Sequence, residues 1–409
     1  MRTGWGLAGL LLLAACGADA PSAPPPSARP GLDGGSGRPR DWAPPVVTRP
    51  QAGAVTVRPT QLPAWEPGYH AALRWDTELP RITLRVRVPV ARSGNALQLA
   101  FRTGDGSGRL YRATVAPAGT GGSLAGPAVP VTFDGGAGFS ADARQRVVSD
   151  PLPFEVRAGG DLAVTIDVEG HFAASAIGLL PDSWADVDVP VDADAVAGWR
   201  ETRAIGLQSV LVRGVRTRAV VAIGDSITEA FVTGDDDVRA AWPAIAGARL
   251  GLPVVNAAVS GQGLWEAREY LDEEVRVLPG VTDCVVLLGT NDLGAADEAW
   301  MKRMLGGLFA DLEPFCDVWA GTLLPKDRPE IGDDVRALRR TINEWIRTEA
   351  DVAGVIDFEA VLRDPDDADR WLPGMASDGV HPTAEGQRVI GEEAARFLGE
   401  VFAVQDAGR

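Results

Sequence analysis

Residues 219–228 read Ala219-Val220-Val221-Ala222-Ile223-Gly224-Asp225-Ser226-Ile227-Thr228. An apolar run this short, ended by a Gly-Asp-Ser turn, has the length and flanks of a strand buried on both faces. Such strands belong to parallel sheets sheathed by helices. The rhythm repeats downstream, with strand candidates at Val254–Val259, Cys284–Leu288, Val318–Leu323 and Val355–Phe358. Between them lie helical patterns: Met301, Met304, Leu305, Leu308 and Leu312, then Val335, Leu338, Ile342, Trp345 and Ile346. A last helix shows Val389, Ile390, Ala394, Phe397, Leu398 and Val401, with Thr383 as its N-cap. The expectation is an α/β domain over 214–409, three layers deep, with ligands at the carboxyl ends of its strands.

Upstream the period changes. Ile82, Leu84, Val86 and Val88 alternate with Thr83, Arg85 and Arg87, which predicts a strand with one wet face. Leu97, Leu99 and Phe101 repeat the pattern, as do Leu162, Val164, Ile166 and Val168, between Gly- and Pro-rich turns. Many short strands without helical periodicity predict an all-β sandwich or jelly-roll domain over 51–213.

The first residues read as targeting rather than fold. Arg2 precedes an apolar stretch, Leu7 to Ala15, too short to remain as a spanning helix. It ends in Leu13-Ala14-Ala15-Cys16, which resembles the lipobox of bacterial lipoproteins. On that resemblance 1–15 is a signal peptide and Cys16 carries a lipid, so the expected location is outside the cytoplasm on a membrane anchor. Residues 16–50, rich in Pro, Gly, Ser and Ala, read as a disordered tether.

The chain has 409 residues, enough for two domains, with 45% hydrophobic and 23% charged residues. A formal net charge of −17 argues against nucleic acid or anionic lipid as the main partner. Asp235-Asp236-Asp237 and Asp364 to Asp369 read as solvated loops without calcium-loop spacing. No cysteine pair has metal spacing, so neither a metal nor a cofactor is expected. Cys284 and Cys316 fall at the starts of neighbouring parallel strands, where two buried thiols are the expectation; export leaves a disulfide open.

Four pieces carry chemistry. Ser226 sits in the turn after the first strand, where its hydroxyl needs a base to become a nucleophile. Its backbone N–H, at a helix start, can face an anion. Of the three histidines, His70, His171 and His381, only His381 lies in the α/β half. Asp378, three residues earlier, can reach its Nδ1 and set the tautomer. Asp225, adjacent to Ser226, is expected to hold the turn rather than serve His381. Gly261, in Val259-Ser260-Gly261-Gln262-Gly263, allows close backbone approach, and Asn291, in Gly289-Thr290-Asn291-Asp292, supplies an amide donor. Gly261-Gln262-Gly263 lacks the third glycine of a dinucleotide loop and follows the wrong strand for one.

This set resembles the SGNH (GDSL-type) hydrolase family over roughly residues 216–403. The resemblance implies a flavodoxin-like fold, ester hydrolysis without metal, and particular roles. Ser226 would be the nucleophile, Asp378 and His381 the rest of the triad, and Ser226, Gly261 and Asn291 the oxyanion donors. Ile227 stands where the older motif has Leu. The β-half, with Thr83 to Val88 and Val148-Ser149-Asp150-Pro151-Leu152, is similar to that of exported bacterial SGNH esterases, as is the stretch from Val361 to Pro382. The expected partner is an ester substrate, with an acetylated extracellular glycan the favoured case. Trp265, Trp300 and Trp371 lie near the motif loops and could stack on it or pack in the core. An acyltransferase, a lipase or thioesterase on the same triad, and a non-catalytic envelope binding protein remain open readings.

Overall fold

The computed structural model describes residues 63–231 and 237–407. The expected signal peptide, tether and lipid-bearing Cys16 lie outside the described residues. All that is described falls within one compact unit, Val46–Arg409.

The N-terminal half is a large antiparallel β-domain. Leu207–Val215 pairs with Pro63–His70 on one side and with the first half of Gly94–Pro117 on the other. Asp161–Gly178 lies between Trp75–Pro89 and the second half of Gly94–Pro117. That long strand belongs to both sections, with its register broken between Thr103 and Gly108. Leu97, Leu99, Phe101, Val210 and Val212 of one section share a core with Leu84, Val86, Val164 and Ile166 of the other.

The outer face of Trp75–Pro89 departs from expectation. Arg85 is only 1% exposed, and Thr83 is buried beside it. Arg85 donates to Thr165 Oγ1 at 2.8 Å and to the carbonyls of Gly122 and Ala193, each at 2.7 Å. Loops around 122 and 193 therefore cover this face, and their carbonyls accept from the guanidinium that alternation alone would place in water.

The C-terminal half has a five-stranded parallel sheet. Val254–Asn256, Val220–Gly224, Asp283–Leu287, Asp317–Gly321 and Gly354–Ile356 lie side by side in that order. Val221, Ile223, Cys284 and Val286 face a core with Met301, Leu305, Leu308 and Ile342. Val220, Ala222, Val285 and Leu287 face the opposite core, with Trp242, Ile390, Ala394 and Leu398. Helices Glu298–Leu312 and Asp333–Thr348 thus cover one face, and Trp242–Leu250 and Ala384–Ala407 the other. Thr383 Oγ1 accepts from Gly386 N at 3.2 Å, the expected cap. The chain leaves the first strand toward one edge and returns on its other side, so a crevice opens at the carboxyl end of Val220–Gly224.

Cys284 and Cys316 form a disulfide rather than two thiols. Both face the same core, and their Cα atoms are 5.8 Å apart, a spacing a disulfide spans. The run Asp364 to Asp369 is also not wholly solvated, because Asp369 accepts from the buried Arg339 at 2.9 Å.

Polar contacts join the halves. Arg102 pairs with Glu273, Gln208 Nε2 donates to Glu273 O at 3.0 Å, and Arg239 reaches Asp161 at 2.6 Å.

Candidate active site

The strand Val220–Gly224 runs into a one-turn helix, Ser226–Glu229. Asp225 caps it, its Oδ1 accepting from Ile227 N at 3.0 Å, the holding role expected of it. Gln387 Nε2 binds Ile227 O at 2.7 Å, and Asn256 Nδ2 binds Thr228 O at 2.8 Å. The turn is thereby fixed from the last helix and from the neighbouring strand. Ser226 is 7% exposed at the crevice.

His381 reaches this turn from the far end of the chain. Its Nε2 lies 2.9 Å from Ser226 Oγ, and its Nδ1 lies 2.9 Å from Asp378 Oδ2. Asp378 Oδ1 accepts from the main chain of Val380 and of His381, at 3.0 and 2.8 Å. The intervening Gly379 has φ +77°, and a Cβ there would meet Asp327 Oδ1 at 2.5 Å and Arg328 N at 2.7 Å. Only glycine fits that turn. Trp371, buried, donates from Nε1 to Gly379 O at 3.2 Å, so it braces the loop and is no stacking surface.

Burial pushes the Asp378 carboxyl up, but hydrogen bonds from the His381 ring and from the main chain of His381 and Val380 outweigh it. The net pKa is about 2. For His381, burial is the largest influence and lowers the pKa below the ordinary 6.5. The Asp378 contact pulls it back up, while Lys326 and Arg328 add to the lowering. The ring is therefore neutral near pH 7, as a proton acceptor must be. Beneath the turn, burial raises the Asp225 carboxyl and lowers the Lys326 ammonium, each opposed by the other's charge.

The oxyanion candidates meet at the same crevice. Gly261 has φ +84°, in the left-handed region that glycine adopts freely. Ser260 N, just before it, donates to the buried Glu229 Oε2 at 2.6 Å. Asn291 Nδ2 donates to Gln262 O at 2.9 Å, and Gln262 Nε2 in turn donates to Gly224 O. Asp292 accepts from Leu264 N at 3.1 Å, tying the Asn291 loop to the next helix. Ser226, Gly261 and Asn291 are thus drawn together through Gln262. Phe231 packs against His381, ring centroids 4.9 Å apart, while Trp265 is 67% exposed and Trp300 packs against the core.

The other two histidines stand apart in the β-domain. His70 is buried against Ser209 Oγ at 2.8 Å, and His171 pairs with Asp76 at 2.8 Å. Sequence reasoning missed the supports: Gln262, Glu229, Lys326 and Arg328. Gln262 stood inside a quoted motif; the rest had no local signal. Among the described residues no group of three or more His, Cys, Asp or Glu side chains is placed to hold a metal ion.

Residues 222–389 match the model of the GDSL-like Lipase/Acylhydrolase family. The α/β half of the chain thus carries a domain similar to that family, and this match supports an SGNH-type ester hydrolase. No curated protein matches it in sequence. Among solved structures, it is similar to a member of the lipolytic protein G-D-S-L family from Veillonella parvula, at 21% identity and TM-score 0.38. That match covers 44% of this chain and 97% of the other. An acetyl xylan esterase from Geobacillus stearothermophilus matches at 19% identity and TM-score 0.35, covering 45% and 95%. A carbohydrate esterase family 2 enzyme plus carbohydrate binding domain, from Corynascus thermopiles (Myceliophthora fergusii), matches at 18% identity and TM-score 0.40. It covers 80% of this chain and 100% of that one.

Proposed function

We propose that Ser226, His381 and Asp378 form a triad that cleaves carboxylic esters through an acyl-enzyme. The observation that carries this is the unbroken line of contacts from Ser226 Oγ through both His381 nitrogens to Asp378, each at 2.9 Å. Ser226 Oγ attacks the acyl carbon while His381 Nε2 takes its proton. The tetrahedral oxyanion sits among Ser226 N, Gly261 N and Asn291 Nδ2, and Asp378 stabilises the imidazolium. The C–O bond to the alcohol then breaks, and His381 returns the proton to the leaving oxygen. Water, deprotonated by His381, attacks the acyl-Ser226 ester and releases the acid.

The fold in this reading is a flavodoxin-like hydrolase domain joined to a β-sandwich. The substrate is an acetylated glycan outside the cytoplasm, with the protein tethered through a lipid on Cys16. Trp265, exposed four residues after Gly261, supports a sugar-facing cleft, because an indole face stacks on pyranose rings.

The test is hydrolysis of p-nitrophenyl acetate and of an ester panel that includes acetylated polysaccharides. Ser226→Ala is expected to abolish turnover, and a phosphonate probe to add its mass at Ser226. Unchanged activity in Ser226→Ala sinks the reading. Release from long acyl chains alone removes the glycan, and dominant transfer to added alcohols makes the protein a transferase. Lipid attachment is checked by detergent partitioning, which Cys16→Ser should abolish.

A further inference from the structure

Arg74 belongs to the β-domain, between the strands Pro63–His70 and Trp75–Pro89, yet its side chain ends beside the oxyanion loop. Its Nη2 donates to Gln262 Oε1 at 2.6 Å. Its Nε and Nη2 also clasp the carboxylate of Glu274, at 2.7 and 2.6 Å, and its guanidinium lies 4.3 Å over the Tyr270 ring. Glu274 and Gln262 are both about 2% exposed, and the Arg74 side chain between them is 11% exposed. Charge-assisted bonds of this kind are short and directional.

We propose that Arg74 is a positioning residue for ester hydrolysis, acting across the domain seam through Gln262; this rests on the triad reading above. A side-chain amide has one accepting end and one donating end. Arg74, which only donates, requires the Gln262 oxygen, so the Gln262 NH₂ must face Gly224 O, two residues before the nucleophile. With its side chain pinned at both ends, Gln262 holds its main-chain oxygen against Asn291 Nδ2. That bond uses one N–H of Asn291 and leaves the second for the oxyanion. Gly261, immediately before Gln262, is held from its other side by Ser260 N on Glu229. The β-domain therefore supplies part of the preorganisation that the oxyanion requires.

The experiment compares Arg74→Met, Arg74→Lys, Gln262→Met and the double variant Arg74→Met/Gln262→Met with wild type in the full chain. Gln208→Met, which removes a seam bond to Glu273 O without touching Arg74 or Gln262, is the control. Arg74→Met and Gln262→Met should each lower kcat roughly ten- to a hundredfold, with KM moving less than about threefold. The double variant should be no slower than the slower single, because both break one linkage. Arg74→Lys should recover part of the loss, and Gln208→Met should keep wild-type kcat. Should Arg74→Met fail to fold, Gln262→Met decides alone, since it leaves the Arg74–Glu274 pair in place. A kcat within about twofold of wild type in both single variants overturns the proposal. So does an equal loss in Gln208→Met, or multiplicative losses in the double variant. Activity surviving in Ser226→Ala is a separate outcome, and it removes the triad reading itself.

Discussion

Arg328 Nη2 lies 3.0 Å from Asp378 Oδ2, the same oxygen that faces His381 Nδ1 at 2.9 Å. The guanidinium therefore competes with the imidazole for one carboxylate oxygen and lowers the imidazole pKa as it does so.

A pH profile follows from that relationship. His381 must be neutral to accept the Ser226 proton, and its pKa lies below 6.5. On the acid side kcat/KM should rise with pH and level off before neutrality. Asp378, with a pKa of about 2, stays ionised throughout. Arg328→Met removes a charge that disfavours the imidazolium, so its acid limb should move to higher pH. Steady-state kcat/KM against pH for both proteins checks this, and a shift to lower pH contradicts it.

Asn291→Ala removes the proposed oxyanion donor while leaving the Ser226–His381 contact in place. It should cost about 10²–10³ in kcat with a much smaller change in KM. Phosphonate labelling of Ser226 should persist at a reduced rate. A KM-dominated defect would show that Asn291 binds ground-state substrate instead.

Glu229 links stability to pH. Burial raises its carboxyl from 4.5 to about 7. Between those values the native state holds a proton that the unfolded chain has lost, so stability falls as pH rises through this window. At 1.36 kcal/mol per pH unit the full loss is about 3 kcal/mol, complete above about pH 7. Glu229→Gln keeps an acceptor for Ser260 N and cannot ionise. Urea midpoints should therefore favour the variant over wild type more at about pH 8 than at about pH 5. A gap that is constant with pH counts against the assignment.

The Cys284–Cys316 bridge closes a loop of sequence separation 32 that contains Asn291 and Asp292. Chain entropy puts its removal at about 3–4 kcal/mol. Denaturation with and without reductant, alongside a Cys284→Ala/Cys316→Ala variant, measures it, and coincident curves would refute the estimate.

The parallel sheet was legible because Val220–Ile223 and Cys284–Leu288 are apolar runs too short for helices, and because the intervening helices keep a clear stripe. The second strand was overdrawn at Val254–Val259. Regular pairing ends at Asn256, whose side chain accepts from Ala258 N at 3.0 Å, although Ala257 N and Val259 N still donate to Ala222 O and Gly224 O of the first strand. Ser226, His381, Gly261 and Asn291 could be named because each stands in a short motif at a strand end or in the last loop. Arg85 could not be placed, since alternation marks which residues share a face and not what later covers it. Arg74 was out of reach for a related reason. Its partners Gln262 and Glu274 are 188 and 200 positions away, so no local pattern links them.

The seam also bears on what counts as one piece of this protein. Cutting between the halves would leave Glu274 and Gln262 without the cation that Arg74 brings, and Glu273 without Arg102. The interval 222–389 is thus a sequence family boundary that these seam contacts cross. A transplantable version of this hydrolase should carry the β-half with it, and exchange of either half with another protein should bring both sides of the Arg74 clasp together.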